Sequence, residues 1–402
     1  MNKLTVCFVG CGRFAKHFVG LMKAHPAVEK VYVCDLIPEK AKEYSEKFDV
    51  EIIDTYEEVL ERKDINAIAN FTQRIYHGPI VTRALKAGKH VYSAVPMATE
   101  IEECQEIVKL CEEKKLIYMM GETCYYYPCA MFCRERYEKG EFGPFLYGAS
   151  QYYHHIDSIS YGKEEDQRGM PPLYYPTHST AMILSSVDSY VTKVTGMGNK
   201  DCWNDPKFGK GRNQWDNEYT NQYVLMELAN GGVARVTESR TFAWNKPSSY
   251  ISALYGTEGS YEFSNAQHIM VKKNWIDGKE HVDLEDVSDY CNPKEMTLHK
   301  NEPDFKEKVA NGEWQWADQS PIQDAEAARL PKEYDEIVSG HMCSHKFLID
   351  DFCTAASTGK LPPVNAWKAA RYTIPGLVAI KSVEQGGIPL EVPDCGDAPK
   401  NW

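Results

Sequence analysis

The chain has no apolar run approaching the ~18 residues that a membrane-spanning helix needs, so no spanning segment is expected. It has no surplus of basic charge: 45 Lys and Arg stand against 58 Asp and Glu, for a formal net charge of −13. Nucleic acid and anionic membrane surfaces are recognised by clustered Lys and Arg, so neither is expected as a partner. There is no C-x-x-C pair, although 13 cysteines are present. Cys7/Cys11 and Cys129/Cys133 are each four apart, which is not zinc-ribbon or thioredoxin-like spacing. Buried free thiols acting as small apolar side chains are the default reading, and no metal is expected. The N-terminal "MNKLTVCFVGCG" is apolar over too short a distance for a secretory leader, so the expected location is the cytoplasm.

What is present suits a globular protein of two or three domains. The chain has 402 residues, 43% hydrophobic and 26% charged, enough to bury a sizeable core. Lys3–Val9 reads as a buried strand, followed by a glycine turn and the helical "KHFVGLMKAHP". "VEKVYVCD", "INAIANFT", "KHVYSAV" and "LIYMMGET" are further strands, separated by helices such as "PEKAKEYSEKF" and "ATEIEECQEIVKLCEEKK". Strand–helix alternation of this kind specifies a doubly wound parallel α/β sheet. It fills residues 1–123, the expected nucleotide-binding domain.

From Phe145 the strands become longer, aromatic and alternating, as in "FLYGASQYYHHI" and "TNQYVLMELANGGVARVTESR". Gly231-Gly232 and Thr257-Glu258-Gly259 are hairpin-turn signals. Residues 124–402 are therefore expected to form an α+β domain on an open, mostly antiparallel sheet. Residues 276–340, polar and weakly periodic, read as an excursion over the surface. Two last helices, at about residues 341–388, are expected to pack back across both domains.

Gly10, Gly12 and Ala15 make G-x-G-x-x-A between a strand and a helix, with Arg13 and Phe14 inside the loop. Gly10 permits the tight turn, Gly12 lets a pyrophosphate approach the backbone at the positive helix end, and Ala15 permits close packing. Asp35 closes the second strand, where an acid accepts from the ribose hydroxyls and repels a 2′-phosphate. The cofactor is therefore read as NAD in preference to NADP. Phe71 and Thr72 at one strand end, and Ala94, Val95 and Pro96 at the next, are expected to line the nicotinamide half of the crevice.

The segments "VGCGRFA", "HGPIVTRALKAGKHV" (opening on His77), Pro96 and "VNAWKAARYTIPGLVAIKSVEQGGIPLEVPD" resemble the glucose–fructose oxidoreductase / inositol dehydrogenase superfamily (Gfo/Idh/MocA) over nearly the whole chain. That resemblance implies a Rossmann domain, a sheet domain carrying a sugar or polyol, and a homo-oligomer packed through the sheet. The chain departs from the dehydrogenase pattern at Glu-Lys-Pro, which here is Ala94-Val95-Pro96. It departs again where an Asp is usual four residues before a His, since Tyr174 stands there while His178 remains.

"SAVPMA", "MMGETCYYYP", "QYYHH" and "YPTH" look like the NAD-dependent glycosidases of glycoside hydrolase family 109, which share both departures. The resemblance implies transient oxidation at sugar carbon 3, elimination across carbons 2 and 1, addition of water, and return of the hydride. It points to Glu122, Tyr152, Tyr175 and His178. His178 suits a general base near neutral pH, Tyr175 can share a proton with the carbon 3 hydroxyl, and Glu122 can orient nicotinamide or substrate. Tyr152 and His154, two apart on a strand, share a face.

Tyr153, His155, Asp157 and the rings of Trp203, Trp215 and Trp244 are weaker candidates, more simply read as core or surface. His341, in "SGHMCSH", is a candidate for the substrate pocket, with helix capping by Ser344 the equal alternative. Three functions stay open at this point: an NAD-dependent glycosidase, a plain sugar or polyol dehydrogenase, and a non-catalytic nucleotide-binding protein.

Overall fold

The computed structural model describes residues 3–154, 169–202, 204–242, 247–264, 267–311, 319–337 and 339–402. His155, Asp157, Trp203 and Trp244 lie outside the described residues. The first sheet contains β1 (Leu4–Val9), β2 (Val28–Cys34), β3 (Glu51–Ile52), β4 (Ala67–Asn70), β5 (His90–Ser93) and β6 (Tyr118–Met120). Its order is β3-β2-β1-β4-β5-β6, all parallel. Strands covered on both faces carry near-continuous apolar runs, and β1 and β4 are buried almost throughout. Helices α1 (Lys16–Ala24), α2 (Pro38–Phe48), α3 (Tyr56–Glu61), α4 (His77–Lys86) and α5 (Ile101–Lys114) supply the crossovers. The chain reverses direction across the sheet between β1 and β4, the place where open α/β sheets form a ligand crevice.

After α6 (Pro128–Glu138) the chain enters the second sheet through β7 (Phe145–Tyr153), and α7 (Thr177–Val187) follows. The sheet continues with β8 (Val191–Lys200), β9 (Tyr219–Leu228), β10 (Val233–Ser239), β11 (Ser249–Gly256), β12 (Gly259–Ser264), β13 (Gln267–Ile276) and β14 (Lys279–Asp286). The order is β14-β13-β12-β11-β7-β10-β9-β8, with the short β15 (Leu390–Glu391) at the edge. All neighbours are antiparallel except β7 and β10. The parallel β7–β10 pair sits at the middle of the sheet and carries Tyr152 opposite Glu238.

The reading of residues 276–340 as a surface excursion is corrected. Asp277 and Gly278 both have positive φ, 52° and 73°, and turn β13 into β14 as an Asp-Gly hairpin. Beyond it run α8 (Ser288–Cys291), α9 (Lys294–His299), α10 (Phe305–Asn311) and α11 (Asp324–Ala327). These helices are too short for a helical period to show in sequence. Val287, Cys291, Met296, Val309 and Ile322 anchor them in the core.

The chain closes with α12 (Ser344–Thr358) and α13 (Ala366–Glu384). The first packs on α1 and β1, and the second on α5, α7 and β8, so α13 bridges the two sheets. Gly359, at φ 79°, ends α12, and Asn365 caps α13 by accepting from the amide of Lys368. Arg329 binds Asp350 and Asp351 of α12, while Tyr126 donates to Asp351 and His25 meets Asp350 at 3.2 Å. This buried polar knot ties the end of α1 to α12 and to the turn that follows β6.

Candidate active site

Two clusters face each other across the C-terminal ends of β1, β4 and β5. The first is the glycine loop. Gly10 has φ +95°, and a Cβ there would stand 2.7 Å from the backbone carbon and oxygen of Phe71. The turn is therefore pressed directly on the end of β4. Nothing lies within 4 Å of a Cβ built on Gly12, so open space stands over that residue. Ala15 is fully buried, Phe14 packs on Phe18 at 5.0 Å, and Arg13 is exposed. Among the described residues no side chain caps α1, and the amides of His17 and Phe18 donate to the carbonyls of Phe14 and Ala15, so an anion would meet the loop ahead of the helix.

Asp35 has more to do than the sequence indicates. Its Oδ2 accepts from the amide of Cys11 at 2.7 Å and its Oδ1 from the amide of Ile37 at 2.8 Å. A carboxylate has about four lone-pair sites, which leaves acceptor capacity for ribose hydroxyls. Burial first, then the charge of Asp35, push the Cys11 thiol up to about 12 and the Cys34 thiol to about 11, so both stay protonated. Leu36, 97% exposed, puts an apolar side chain beside the acid where a base ring can rest. Glycine cradle, uncapped helix and terminal acid together fit a dinucleotide.

Asp35→Ala is expected to bring NAD and NADP affinities to within a few-fold of each other. It is also expected to weaken NAD itself about tenfold, because the Cys11 amide loses its acceptor. Parallel fluorescence titrations with both nucleotides check this; NADP binding as tightly as NAD to the unaltered protein would remove Asp35 from the ribose.

The nicotinamide side is built on strand ends. Phe71 stacks on Phe8 at 5.5 Å, and Thr72 donates its hydroxyl to Asn70 at 2.8 Å. Ala94, Val95 and Pro96 are buried at the end of β5. His77, the first residue of α4, is buried beside these strand ends. It is 1% exposed, with Nδ1 2.7 Å from the Pro96 carbonyl and Nε2 3.1 Å from the Thr72 carbonyl. Burial drives its ring down to about 4, so it is neutral at physiological pH.

The second cluster gathers the four expected chemical residues. Glu122 follows β6 and is fully buried. Its Oε1 accepts from the Cys124 amide at 2.9 Å and from Nδ1 of His178, in the first turn of α7, at 2.6 Å. Burial pulls the Glu122 carboxyl up, but His178 and the Cys124 amide outweigh it and hold the group below its ordinary range. An ionised carboxylate only accepts, so Nδ1 of His178 carries the hydrogen of this bond and Nε2 is the ring nitrogen left outside it. Glu122, expected to orient nicotinamide or substrate, is here hydrogen-bonded to the His178 ring.

Around that ring stand Tyr175 at 4.9 Å and Tyr152 at 5.0 Å, with His154 edge-on to Tyr152 at 5.5 Å. The Arg74 guanidinium, two residues beyond Thr72, lies 4.6 Å over the Tyr175 ring and joins the two clusters. Glu122, Cys124 and His178 bring three ligand-type atoms within 4.8 Å of one another. The Glu122–His178 bond uses two of them, and burial pushes the Cys124 thiol well up, so the thiol stays protonated.

Other candidates fall elsewhere. Tyr153 points to Phe242 and Tyr250, away from the cluster. Trp215 packs on Tyr174 at 4.9 Å. His341 lies 5.5 Å from Phe14, at the glycine loop and not among the tyrosines, and Ser344 does not cap α12, whose N-cap is Cys343. The sequence reading passed over Glu238, Arg240 and Gly376. Glu238 shares strand parity with the buried Ala234 and Val236, a signal legible as an acid on an apolar face. Gly376 is needed because a Cβ would fall 2.3 Å from Pro176, where α13 presses on the Tyr175–His178 turn.

Residues 4–122 match the family GFO_IDH_MocA, described as an oxidoreductase family with an NAD-binding Rossmann fold. The first sheet and its glycine loop are thus similar to the NAD-binding Rossmann domain of that family. Over 422 residues it is 23% identical to a "Glycosyl hydrolase family 109 protein" of Streptomyces filamentosus, covering 98% of this chain and 77% of that one. It is 23% identical over 263 residues to a "2,7-anhydro-N-acetylneuraminate hydratase" of Mediterraneibacter gnavus, covering 65% of this chain and 67% of that one. In fold it is similar to a levoglucosan dehydrogenase solved with NADH and levoglucosan, with a TM-score of 0.72, 17% identity, and coverage of 98% and 100%.

Proposed function

We propose that this enzyme cleaves a glycosidic or anhydro-sugar bond by transient oxidation at carbon 3, elimination and addition of water, with no net change in NAD. The observation that carries the proposal is the Glu122–His178 pair at 2.6 Å, set among tyrosines where Val95 offers no proton-transferring group. The Gly10–Ala15 loop and Asp35 would hold NAD, which would supply hydride-transfer chemistry at carbon 3. Tyr175 exchanges a proton with the carbon 3 hydroxyl. His178 Nε2 takes the carbon 2 proton, which the neighbouring ketone has made acidic, and Glu122 stabilises the resulting imidazolium. Tyr152 closes the wall beside the ring. The relatives named as family 109 hydrolases and as an anhydro-sugar hydratase support the same route.

The test is a panel of aryl glycosides and anhydro-sugars assayed with NAD in heavy water. Leaving-group release or hydration with deuterium entering at carbon 2 and no NADH accumulating is expected. Steady NADH production without bond cleavage would make the enzyme a plain dehydrogenase.

Two further readings belong here. The outer face of the second sheet exposes Met197, Leu225, Val233, Trp275, Val282 and Leu284, an apolar set that suits packing against a second copy. Sedimentation is expected to give a dimer or higher form, and Trp275→Asp with Leu284→Asp is expected to shift it to monomer. Among the described residues no helix is long and apolar enough to cross a membrane. All thirteen cysteines are free and most are buried, which supports a reducing compartment, the cytoplasm.

A further inference from the structure

Directly behind His178 lies a second buried acid that the proposed route does not use. Glu238 of β10 is fully buried and pairs in register with Tyr152 of β7 and Gln222 of β9. Its Oε1 is in hydrogen-bond contact with the hydroxyl of Ser179, the residue after His178. The same hydroxyl lies 2.9 Å from the carbonyl of Pro176, the residue after Tyr175. A serine hydroxyl has one proton to donate, and here it faces two oxygens. Both contacts are satisfied only if one of those oxygens brings a proton, and a peptide carbonyl cannot.

We propose that Glu238 is a positioning residue that works as a neutral carboxylic acid: it donates to Ser179, Ser179 donates to the Pro176 carbonyl, and the chain holds the Tyr175–His178 turn against the sheet. The proposal rests on Tyr175 and His178 being the reacting pair. Further observations agree with it. The Ser150 hydroxyl of β7 donates to the Ser179 carbonyl at 2.7 Å, so Ser179 is clamped from both ends. Among the described residues Oε2 of Glu238 has no hydrogen-bond partner, and Arg240 reaches it only at 3.6 Å while donating to the carbonyls of Ser239 and Pro172.

Among the described residues the charged and titratable groups around Glu238 are Arg240, two residues on, Glu122 after β6, His178 on α7 and Tyr152 on β7; β9 offers the neutral Gln222. With Glu122 ionised, one cation and one anion already balance, and a second carboxylate would leave the dry pocket with surplus negative charge. Burial raises the Glu238 carboxyl, Arg240 opposes this, and the group stands at about 8. It is therefore protonated at neutral pH and ionises as pH rises through that value.

The experiment uses the full-length enzyme with NAD. Glu238→Leu is expected to lower kcat about 10- to 100-fold with KM nearly unchanged, the scale of a misplaced reacting group. Glu238→Gln, whose amide still donates to Ser179, is expected to restore kcat at neutral pH. It should also abolish the loss of activity that the unaltered enzyme shows above about pH 8. Ser179→Ala should reproduce the kcat loss without affecting NAD affinity, which reports that the protein is folded. Infrared difference spectra of unaltered enzyme minus Glu238→Gln should contain a protonated-carboxyl C=O band at neutral pH. That band does not depend on which sugar reaction is catalysed, so it separates this proposal from the route above. Its absence, or an alkaline limb that persists in Glu238→Gln, would overturn the assignment.

Discussion

His178→Ala is expected to lower turnover by at least ~100-fold, the usual weight of a positioned general base, while NAD binds as before. The two effects separate because they live on different sheets. The proposed cofactor site is the Gly10–Ala15 loop with Asp35, whereas His178 belongs to α7, packed on the second sheet. The loss should fall on proton exchange at carbon 2, and hydride transfer should be slowed less. Glu122→Gln is a milder version of the same lesion. An amide can present its oxygen to Nδ1–H, but it cannot stabilise an imidazolium as a carboxylate does, so a smaller loss in the same step is expected. Deuterium wash-in at carbon 2 and single-turnover NADH formation measure the two steps apart. Near-normal exchange in His178→Ala would remove the base assignment and with it the glycosidase reading.

Gly10→Ala is expected to abolish useful NAD binding. An L-residue held at φ +95° is strained by ~1–2 kcal/mol. The added methyl would also meet the Phe71 carbonyl at 2.7 Å and the Thr72 amide at 2.9 Å. Neither backbone group can move freely. Phe71 donates to Val9 at 2.8 Å, and Gly10 itself donates to Cys34 at 2.9 Å. Overpacking of this kind adds ~1–3 kcal/mol. Together these make about 2–5 kcal/mol, roughly 30-fold or more in Kd by the usual conversion. Calorimetric titration with NAD, alongside a melting curve, shows whether the loop or the whole domain bears the strain. Binding within a few-fold of the unaltered protein would mean that the loop relaxes without cost.

The two clusters were not equally legible in sequence. The nucleotide loop is a contiguous segment, and its constraints are local: a positive φ at Gly10, a close approach over Gly12, and an acid at the end of the next strand. Local constraints of backbone conformation select residue types directly, so they appear in the order of letters. The acid–base cluster is drawn from four separate elements, and sequence marked Tyr152, Tyr175 and His178 only through resemblance to a family. The hairpin at Asp277-Gly278 was readable by its turn chemistry and was nevertheless hidden by the polarity of β14, whose residues are exposed along its length.

The sequence by itself determined the parallel α/β sheet, the glycine crevice and its preference for NAD, because strand burial, helix period and turn geometry are each written in a few consecutive residues. Only the tertiary structure decided what Glu122, His77 and Glu238 do. Their roles depend on which polar atom lies opposite each one in a dry interior, where every donor and acceptor must be matched. Folding brings together Glu122 and His178, 56 positions apart, and Ser179 and Glu238, 59 apart. Neither pairing is visible in the order of residues, and neither are the Pro96 and Thr72 carbonyls that meet the His77 ring.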